Sequence, residues 1–374
     1  MTEIYIGLMS GTSLDGADGV LVEFSARGHS PLRVLAHQHR PFAPNLAAEL
    51  LALNTSGNDE LHRAALAGNA LARVYAEVVE ALLESSGVPR EQVLAIGAHG
   101  QTVRHHPQEF DGTGYTLQIN SPALLAELSG IDVVADLRSR DVAAGGQGAP
   151  LVPAFHRAVF GRSDEAVAVL NIGGISNLTA LRADGSTIGF DCGPGNALMD
   201  HWCLCHTGRP YDDGGAWAAS GHIVEPLLAR LRADPYCALI PPKSTGRDRF
   251  NPPWLQGRLA QCHPSPKPVD VQATLTELTA AACAADVLRH AEASRELLVC
   301  GGGAFNTHLM RRLAALLPGI AVMPSDARAL PADQVEACAF AWLARAFTRR
   351  DPANLPSVTG AAGPRVLGAL YPAA

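Results

Sequence analysis

Long apolar runs and clusters of positive charge are both missing from this sequence of 374 residues. No stretch reaches the roughly 18–20 apolar residues that span a bilayer, and the first residues lack the basic and apolar regions of a signal peptide. The formal net charge is −7, which argues against nucleic acid or an anionic membrane as a partner. We therefore expect a cytoplasmic protein that binds neither.

Cysteine is scarce, since eight residues are scattered over the chain, and this is typical of a reducing compartment. Charged residues make up only 17% of the sequence, whereas glycine (36) and proline (26) are frequent enough to indicate many tight turns. A chain of this length exceeds one compact core, so we expect two domains with a cleft between them.

Common nucleotide-binding motifs are missing as well. The sequence has no G-x-x-x-x-G-K-[ST] loop, no G-x-G-x-x-G fingerprint and no protein-kinase signature set. Instead, residues 4–24 and 166–181 each show an apolar strand, a small polar turn and a second apolar strand. Backbone N–H groups in such turns can form an anion-binding nest, and the alternative is a pair of ordinary tight hairpins.

Strands alternate with helices along the chain, which predicts an α/β architecture. A third strand, 296–300, leads into a glycine-rich turn and a helical run to about Leu317. Helical spacing of apolar residues marks 46–53, 60–85 and 270–293. We expect residues 234–268, which are dense in proline and glycine, to form an excursion outside the core.

Seven motifs in order resemble the anhydro-N-acetylmuramic acid kinase family of the actin, hexokinase and sugar-kinase superfamily. They start at Gly7 (GLMSGTSLDG), Ala98 (AHGQT), Ala135 (ADLR), Arg140 (RDVAAGGQGAP), Asn171 (NIGGISN), Phe190 (FDCGPGN) and Asn354 (NLPSVTG). The match covers essentially the whole chain. It implies two duplicated ribonuclease-H-like α/β domains with an ATP cleft between them.

The resemblance also implies a division of labour. Residues 1–165 would carry the first phosphate hairpin and much of the sugar site. Residues 166–374 would carry the second hairpin, the catalytic Asp and the adenosine motif, with the tail 346–374 packing back on the N-terminal domain. A homodimer is implied by the resemblance alone.

ATP, with Mg²⁺ on its phosphates, is the implied cofactor. The implied ATP-binding residues are Gly11, Thr12, Ser13, Leu14, Asp15, Gly16, Ala17, Asp18, Gly173, Gly174, Gly301, Gly302, Gly303 and Asn306. The implied substrate-binding residues are His99, Gln101, Thr102, Arg138 and Arg140. No protein ligand of a metal is assigned, because Met9, Ser10 and Asn171 stand where many relatives in the superfamily have Asp.

Asp191 is the first candidate catalytic residue. It ends the apolar run 186–190 and precedes Cys-Gly-Pro-Gly-Asn and a helix, 197–206. Ligands of open α/β sheets bind at the carboxyl ends of strands, so a carboxylate there would point into a cleft. The alternative is a helix N-cap or turn residue.

Glu336 is the second candidate, on a helical stripe with Phe340, Leu343 and Phe347. A carboxylate on an apolar stripe must be paired or face a polar cleft, and the family motif indicates a sugar contact. The alternative is compensation of the helix dipole in the first turn.

Arg138 and Arg140 follow a predicted strand, 131–135. The substrate implied by the resemblance carries a lactyl carboxylate, which a guanidinium can bind with two hydrogen bonds. The alternative for either arginine is an internal ion pair with Asp136 or Asp141.

Other polar clusters have simpler explanations. Residues 201–206 contain His and Cys inside a predicted helix, without a second ligand pair at zinc spacing. His105 and His106 are expected in a surface loop. Asp212–Gly215 could line the cleft or form a plain turn.

The resemblance implies a coupled reaction, in which water opens the 1,6-anhydro bridge while O6 receives the γ-phosphoryl group. Two rival functions are a catalytically silent nucleotide-binding regulator and a kinase of another small molecule.

Overall fold

The computed structural model describes residues 2–11, 13–25, 32–246 and 249–373. The strands are β1 (Thr2–Met9), β2 (Gly16–Ser25), β3 (Leu32–Pro41), β4 (Val93–Ala98), β5 (Gln101–Pro107), β6 (Gly114–Ile119), β7 (Val133–Ala135), β8 (Val167–Ile172), β9 (Ile175–Leu181), β10 (Thr187–Pro194), β11 (Glu296–Cys300), β12 (Ala321–Pro324) and β13 (Ala369–Tyr371).

The α-helices are α1 (Pro44–Ala52), α2 (Glu60–Ser86), α3 (Pro122–Ser129), α4 (Ser139–Val142), α5 (Val152–Phe160), α6 (Ala197–Thr207), α7 (Ala216–Ala219), α8 (Glu225–Arg232), α9 (Pro252–Leu259), α10 (Pro268–His290), α11 (Thr307–Leu316), α12 (Val335–Arg349) and α13 (Pro356–Thr359). Within the described ranges, none of these helices has the length and apolar character needed to cross a membrane.

The chain forms two compact units. The first comprises Met1–Val159 and Gln334–Ala374, and the second comprises Phe160–Asp333. The functions expected of residues 1–165 and 166–374 stay predictions.

Each unit is built on a sheet of the same topology. The order is β13-β7-β4-β1-β2-β3 in the first unit and β10-β9-β8-β11-β12 in the second. In both, three consecutive antiparallel strands are followed by a strand that pairs in parallel with the first of them and by a further parallel strand. This is the duplicated ribonuclease-H-like α/β arrangement, so the expected fold class is confirmed.

The two predicted hairpins are confirmed. Met9 faces Asp18 at the turn end of the β1–β2 pair, and Ile172 faces Ser176 beside the turn that joins β8 and β9.

Helix α12 lies unusually close to the first sheet. Ile6 and Leu8 of β1 are buried in one hydrophobic cluster with Leu71 and Tyr75 of α2. Gly7 lies between them and points to the other face, where any Cβ atom would overlap the backbone of α12. Helices α2 and α12 therefore cover opposite faces of this sheet.

The segment 234–268 is not outside the core, so that expectation is wrong. Tyr236, Phe250, Leu255 and Cys262 are all buried in the hydrophobic core of the second unit. The carboxylate of Asp234 is itself buried and holds the segment together by accepting hydrogen bonds from several N–H groups within the segment. The sequence does not indicate that this segment belongs to the core, because its aromatic residues are spaced irregularly between prolines and glycines.

Asp234 makes bonds of ordinary length. Its carboxylate accepts from the Tyr236 amide at 3.0 Å, from Arg249 Nη2 at 2.6 Å and from the Trp254 indole at 2.9 Å. One buried charge thus joins the start of the segment to α9, and burial is tolerated because the charge is fully hydrogen-bonded.

We expect Gly97→Ala to destabilise the protein by about 1–3 kcal/mol, because the added methyl group overlaps the Phe340 carbonyl of α12 and forces the helix away. Gly257→Ala is the matched control. It lies in α9 with open space around its Cβ position, and the change should stabilise by about 0.5–1 kcal/mol. Urea unfolding of both variants measures the difference, and equal stability would contradict the close packing of α12.

Candidate active site

The first hairpin ends in a polar, exposed tip. The Ser13 hydroxyl donates to Asp15 Oδ1 at 2.5 Å, and the Leu14 amide donates to the Gly11 carbonyl at 3.3 Å. Leu14 has a left-handed backbone with φ of 59°. Thr12 lies outside the described residues. A turn of this kind offers hydroxyl and backbone donors, which suits the predicted phosphate contact.

Asp18 is held on the sheet beside this tip. Its Oδ1 lies 3.0 Å from His39 Nδ1 and 3.4 Å from His37 Nε2, both on β3. Asp15 is therefore the carboxylate of this hairpin that lies at its exposed end. The roles of Asp15 and Asp18 toward ATP stay predictions.

The second turn, Gly173–Gly174, is tied to the start of α6. The Gly173 carbonyl accepts from the Asn196 amide at 2.7 Å, and the Gly174 carbonyl accepts from the Gly195 amide at 3.0 Å. Because C=O and N–H point in opposite directions across a trans peptide, the Gly174 amide is directed away from α6. This orientation is compatible with the predicted anion contact.

The predicted adenosine motif, Gly301–Asn306, packs on the end of β8. Gly301 has a φ of 77°, and a side chain there would overlap Asn171 and Ile172. The Asn306 side chain caps α11 by accepting from the Leu309 amide at 3.0 Å. At least the side-chain oxygen of Asn306 thus has a structural role, and its contact with ATP stays a prediction.

A cavity of about 250 Å³ is lined by five residues close to this motif in the same unit: Cys203, Thr207, Arg209, Asp212 and Trp217. Gly214, two residues after Asp212, accepts at its carbonyl from the hydroxyl of Thr307, the residue that follows the motif, at 2.9 Å. Asp212 itself caps α7 through the amides of Trp217 and Ala218, as the turn interpretation of residues 212–215 requires.

Asp191 lies inside β10, which continues to Pro194, at a point where the strand register shifts. The expectation that it stands at the carboxyl end of a strand is therefore wrong, because a register shift lets the strand continue past it. Its Oδ2 accepts from the Thr245 amide at 2.9 Å, and its own amide donates to the Lys243 carbonyl at 3.2 Å. The Tyr236 hydroxyl donates to the Asp191 carbonyl at 2.8 Å. The carboxylate does not cap α6, so the N-cap alternative is wrong.

The surroundings of Asp191 raise the pKa of its carboxyl. Burial raises the pKa of its carboxyl from 3.8 to about 7, although the Thr245 hydrogen bond and the Lys243 charge oppose that rise. A general base is most effective when its pKa lies near the working pH. A carboxyl group with this pKa therefore has the chemistry that proton abstraction requires.

Arg138 and His99 form a pair in the first unit. Arg138 donates to His99 Nε2 from Nε at 3.1 Å and from Nη2 at 2.9 Å, and to the Gly148 carbonyl from Nη1 at 2.9 Å. Burial and the neighbouring guanidinium hold the pKa of His99 well below its ordinary value, so the ring is neutral. Burial lowers the pKa of Arg138 to about 10, which leaves it charged.

Arg140 differs from Arg138 in its exposure. It lies on the short helix α4 with an exposed side chain. Among the described residues, neither arginine makes an ion pair with Asp136 or Asp141. The alternative of internal pairing is therefore wrong for both.

Gln101 connects this region to the first hairpin. The side chain is buried and donates from Nε2 to the Gly11 carbonyl at 3.1 Å. The neighbouring Thr102 hydroxyl accepts from Gln118 at 3.2 Å. Any role of these two residues toward the substrate stays a prediction.

Glu336 is half-buried in the first turn of α12. Its charge raises the pKa of Arg138 against the effect of burial, which places the two charged groups in one electrostatic environment. The Phe340 ring packs on His99 with centroids 4.6 Å apart. The close approach of α12 at Gly7 and Gly97 thus brings Glu336 toward the His99–Arg138 pair.

Two features of this region had no signal in the sequence. Asp141 is fully buried and accepts from Asn354 at 2.6 Å, Thr359 at 2.8 Å and the Gly148 amide at 2.8 Å, which fixes the loop after Arg138. His105 and His106 lie on β5, so the surface-loop expectation is wrong, and burial lowers the pKa of His105 to about 4.

These features define a class: a duplicated ribonuclease-H-like kinase with glycine-rich turns and a carboxyl group of raised pKa on β10. A family model described as anhydro-N-acetylmuramic acid kinase matches residues 3–373. The chain belongs to this family of kinases.

Curated relatives agree with that membership. The chain is 65% identical to the anhydro-N-acetylmuramic acid kinase of Variovorax paradoxus (strain S110), with 99% of each chain covered. It is 54% identical to the protein of the same name from Chromobacterium violaceum (strain ATCC 12472), with both chains covered in full.

Solved structures show a more distant likeness. The activator of the 2-hydroxyisocaproyl-CoA dehydratase from Clostridium difficile with bound ADPNP has a TM-score of 0.47 at 11% identity, covering 93% of this chain and 96% of that one. The ROK hexokinase from Thermus thermophilus has a TM-score of 0.38 at 13% identity, covering 92% of this chain and 99% of that one.

The raised pKa of Asp191 has a consequence for stability. An acid whose pKa is higher in the folded than in the unfolded protein holds its proton to higher pH when folded. Its ionisation therefore costs stability as the pH rises from the unfolded value toward the folded one.

We expect Asp191→Asn to stabilise the protein by a margin that is small near pH 4, grows to about pH 7 and then stays constant. The expected plateau is at most about 4 kcal/mol, since the shift from 3.8 to about 7 is about three pKa units and one pKa unit corresponds to 1.36 kcal/mol. Urea unfolding between pH 4 and 8.5 measures it. The control Asp184→Asn, in an exposed turn, should show no such gain, and a gain for Asp191→Asn that does not vary with pH would contradict the burial of its charge.

Proposed function

We propose that this kinase uses ATP to open and phosphorylate 1,6-anhydro-N-acetylmuramic acid. The products are N-acetylmuramic acid 6-phosphate and ADP, and the reaction belongs to peptidoglycan recycling and amino-sugar degradation. The observation that carries the proposal is a half-buried carboxylate on β10, Asp191, whose pKa is raised by burial to about 7 and which is oriented by the Thr245 amide. Membership of the family supports the choice of substrate.

Opening the anhydro bridge requires two events at the sugar. A water oxygen must form a bond to C1 while the C1–O6 bond breaks, and O6 must receive an electrophile. Glycoside hydrolysis ordinarily uses one carboxylate for the water and an acid for the leaving oxygen. Here the γ-phosphoryl group of ATP takes the acid's place by forming a bond to O6, and the bond from that phosphorus to the β,γ-bridging oxygen breaks to leave ADP.

Asp191 would take the proton from the attacking water. The Thr245 amide fixes one carboxylate oxygen, Oδ2, at 2.9 Å, which leaves Oδ1 to face the water. A pKa of about 7 keeps a large fraction of the carboxyl ionised at neutral pH and still allows it to hold the proton that it receives.

Phosphoryl transfer needs mainly positioning and neutralisation of charge. Ser13 and the backbone amides of the first turn would serve the phosphates, with the Gly174 amide in the second turn. Asp15 would serve the hydrated Mg²⁺ that the phosphates carry, since this ion commonly keeps several waters when it is bound with nucleotides.

The lactyl carboxylate of the sugar would be bound by arginine. Arg138 is held in place by the neutral ring of His99 and by the Gly148 carbonyl, and five N–H donors leave it able to bind more than these two acceptors. Arg140 is exposed on α4 and available to a ligand. Glu336 would contact sugar hydroxyls.

Asp191→Asn tests the base. Shape and most hydrogen bonds persist, but the basic charge is lost, so bridge opening and O6 phosphorylation should fall together, because O6 is not a free hydroxyl until the bridge opens. Loss of a general base typically costs about 10²–10⁴ in rate, and we expect the upper end. Coupled detection of ADP and of the 6-phosphate measures both events.

Asp184→Asn again serves as the matched control and should turn over normally. ATP affinity of Asp191→Asn should be unchanged in calorimetry. Formation of the 6-phosphate at a near-normal rate would refute the base role of Asp191 and would favour Glu336 instead.

Arg138→Ala and Arg140→Ala test recognition of the carboxylate. At least one should lose about 1.5–3 kcal/mol of sugar-binding free energy, as expected for a charge-assisted hydrogen bond. Calorimetric titration measures it, with 1,6-anhydro-N-acetylglucosamine, which lacks the lactyl group, as the control ligand. If both variants bind the two sugars in the wild-type ratio, the arginines do not recognise the carboxylate.

A further inference from the structure

Lys243 is a charged residue almost without access to water. Its side chain exposes 2% of its surface, and that of its partner Asp286 exposes 4%. The ammonium lies 3.0 Å from Asp286 Oδ2 and between two aromatic rings, 5.3 Å from the centroid of Phe190 and 5.2 Å from that of Tyr236.

Stability alone does not account for this arrangement. Desolvation of two charges can exceed their mutual attraction, so apolar residues of similar volume are often at least as stable as a buried ion pair. A lysine kept in such a place points to a use for its charge.

The main chain around Lys243 is attached to Asp191. The Lys243 carbonyl accepts from the Asp191 amide at 3.2 Å, and two residues later the Thr245 amide donates to Asp191 Oδ2 at 2.9 Å. Both aromatic residues around the ammonium are also connected to Asp191. Phe190 precedes it in the chain, and the Tyr236 hydroxyl donates to the Asp191 carbonyl at 2.8 Å. One short segment therefore orients the carboxylate and carries a cation beside it.

Among the residues that the structure describes, Lys243 is the charged group that favours the ionised form of Asp191. The other titratable and charged groups described around Asp191 and Lys243 are Tyr236, Cys192, His290, Asp286 and Arg289. Burial raises the pKa of Tyr236 and of Cys192, and it lowers the pKa of His290, so all three are neutral near pH 7. Asp286 is flanked by Lys243 and, at 3.6 Å, by Arg289.

We propose that Lys243 is a positioning residue that sets the basicity of Asp191. Its ammonium keeps the carboxylate ionised in neutral solution, and its backbone, with Thr245, fixes the direction of the carboxylate. This inference rests on the proposed role of Asp191 as the base.

The test compares Lys243→Met/Asp286→Asn with Asp286→Asn alone. The double variant replaces the ion pair by neutral groups of similar size, so no buried carboxylate is left without Lys243, and the single variant keeps the lysine. The acid limb of the kcat/KM profile against pH should move up by roughly one to two pH units in the double variant, as expected for loss of a nearby opposite charge. In Asp286→Asn it should stay or move down, because the lysine charge is less compensated.

The shape of the profile separates this role from a structural one. If the double variant is slow because Asp191 is protonated, its activity recovers at high pH, where the carboxyl group ionises again. If kcat/KM of the double variant were lowered by the same factor at every pH, the proposal would be wrong. If the double variant does not fold, an upward shift of the limb in Asp286→Asn alone would overturn it as well.

A second measurement does not depend on turnover. In protein labelled with ¹³C at aspartate Cγ, the Asp191 signal is assigned by its absence from Asp191→Asn and is titrated in wild type and in both variants. A higher titration midpoint in the double variant supports the effect of Lys243 even if Asp191→Asn proves active, which would refute only the proposed base. An unchanged midpoint refutes the inference about Lys243 even if Asp191 is the base.

Discussion

A carboxyl group on β10 that is held partly out of water is the constraint on which the second unit depends. Desolvation raises the pKa of Asp191, and the hydrogen bond from Thr245 and the charge of Lys243 limit that rise. These partners come from a segment rich in turns, which must itself be fixed. Asp234 fixes it by binding the amide of Tyr236 and the side chains of Arg249 and Trp254.

The same principle operates with the opposite charge in the first unit. Arg138 is half-buried, and its hydrogen-bond acceptors are a neutral imidazole and a backbone carbonyl rather than a carboxylate. Such acceptors orient a guanidinium without neutralising it, so its charge stays available to an anionic ligand. The carboxylate of Asp141 could have paired with this guanidinium. It accepts hydrogen bonds from Asn354, Thr359 and the Gly148 amide instead.

The sequence predicted helices and strands well where an element depends on residues that are close together in the chain. The β1–β2 and β8–β9 hairpins, the strand 296–300 and the long helices followed from apolar periodicity and small turn residues. Asp191 could be singled out because it stands between an apolar strand and a helix. The helical stripe of Phe340 and Leu343 is likewise buried.

Long-range partners could not be predicted in this way. Lys243 and Asp286 are 43 positions apart in the sequence, and lysine in a Pro- and Gly-rich segment has the composition of an exposed turn. Closeness in sequence indicates an aspartate as the partner of Arg138, whereas its side-chain partner in the structure is His99, 39 positions away. Burial of 234–268 depends in the same way on tertiary contacts that leave no periodic trace.

Duplication of one sheet topology has led to two different turns at equivalent positions. The turn after β1 is longer, carries the Ser13 hydroxyl and the Asp15 carboxylate, and is exposed at its end. The turn after β8 has only Gly173 and Gly174, whose carbonyls are engaged by the first amides of α6. Because those carbonyls bind the helix start, the second turn can offer an anion only backbone amides on its other side, whereas the first can add side-chain donors and a carboxylate suited to a hydrated cation. The two turns can therefore offer different groups to a ligand. The difference follows from the number of residues in each turn and from the partners that its carbonyl groups already have.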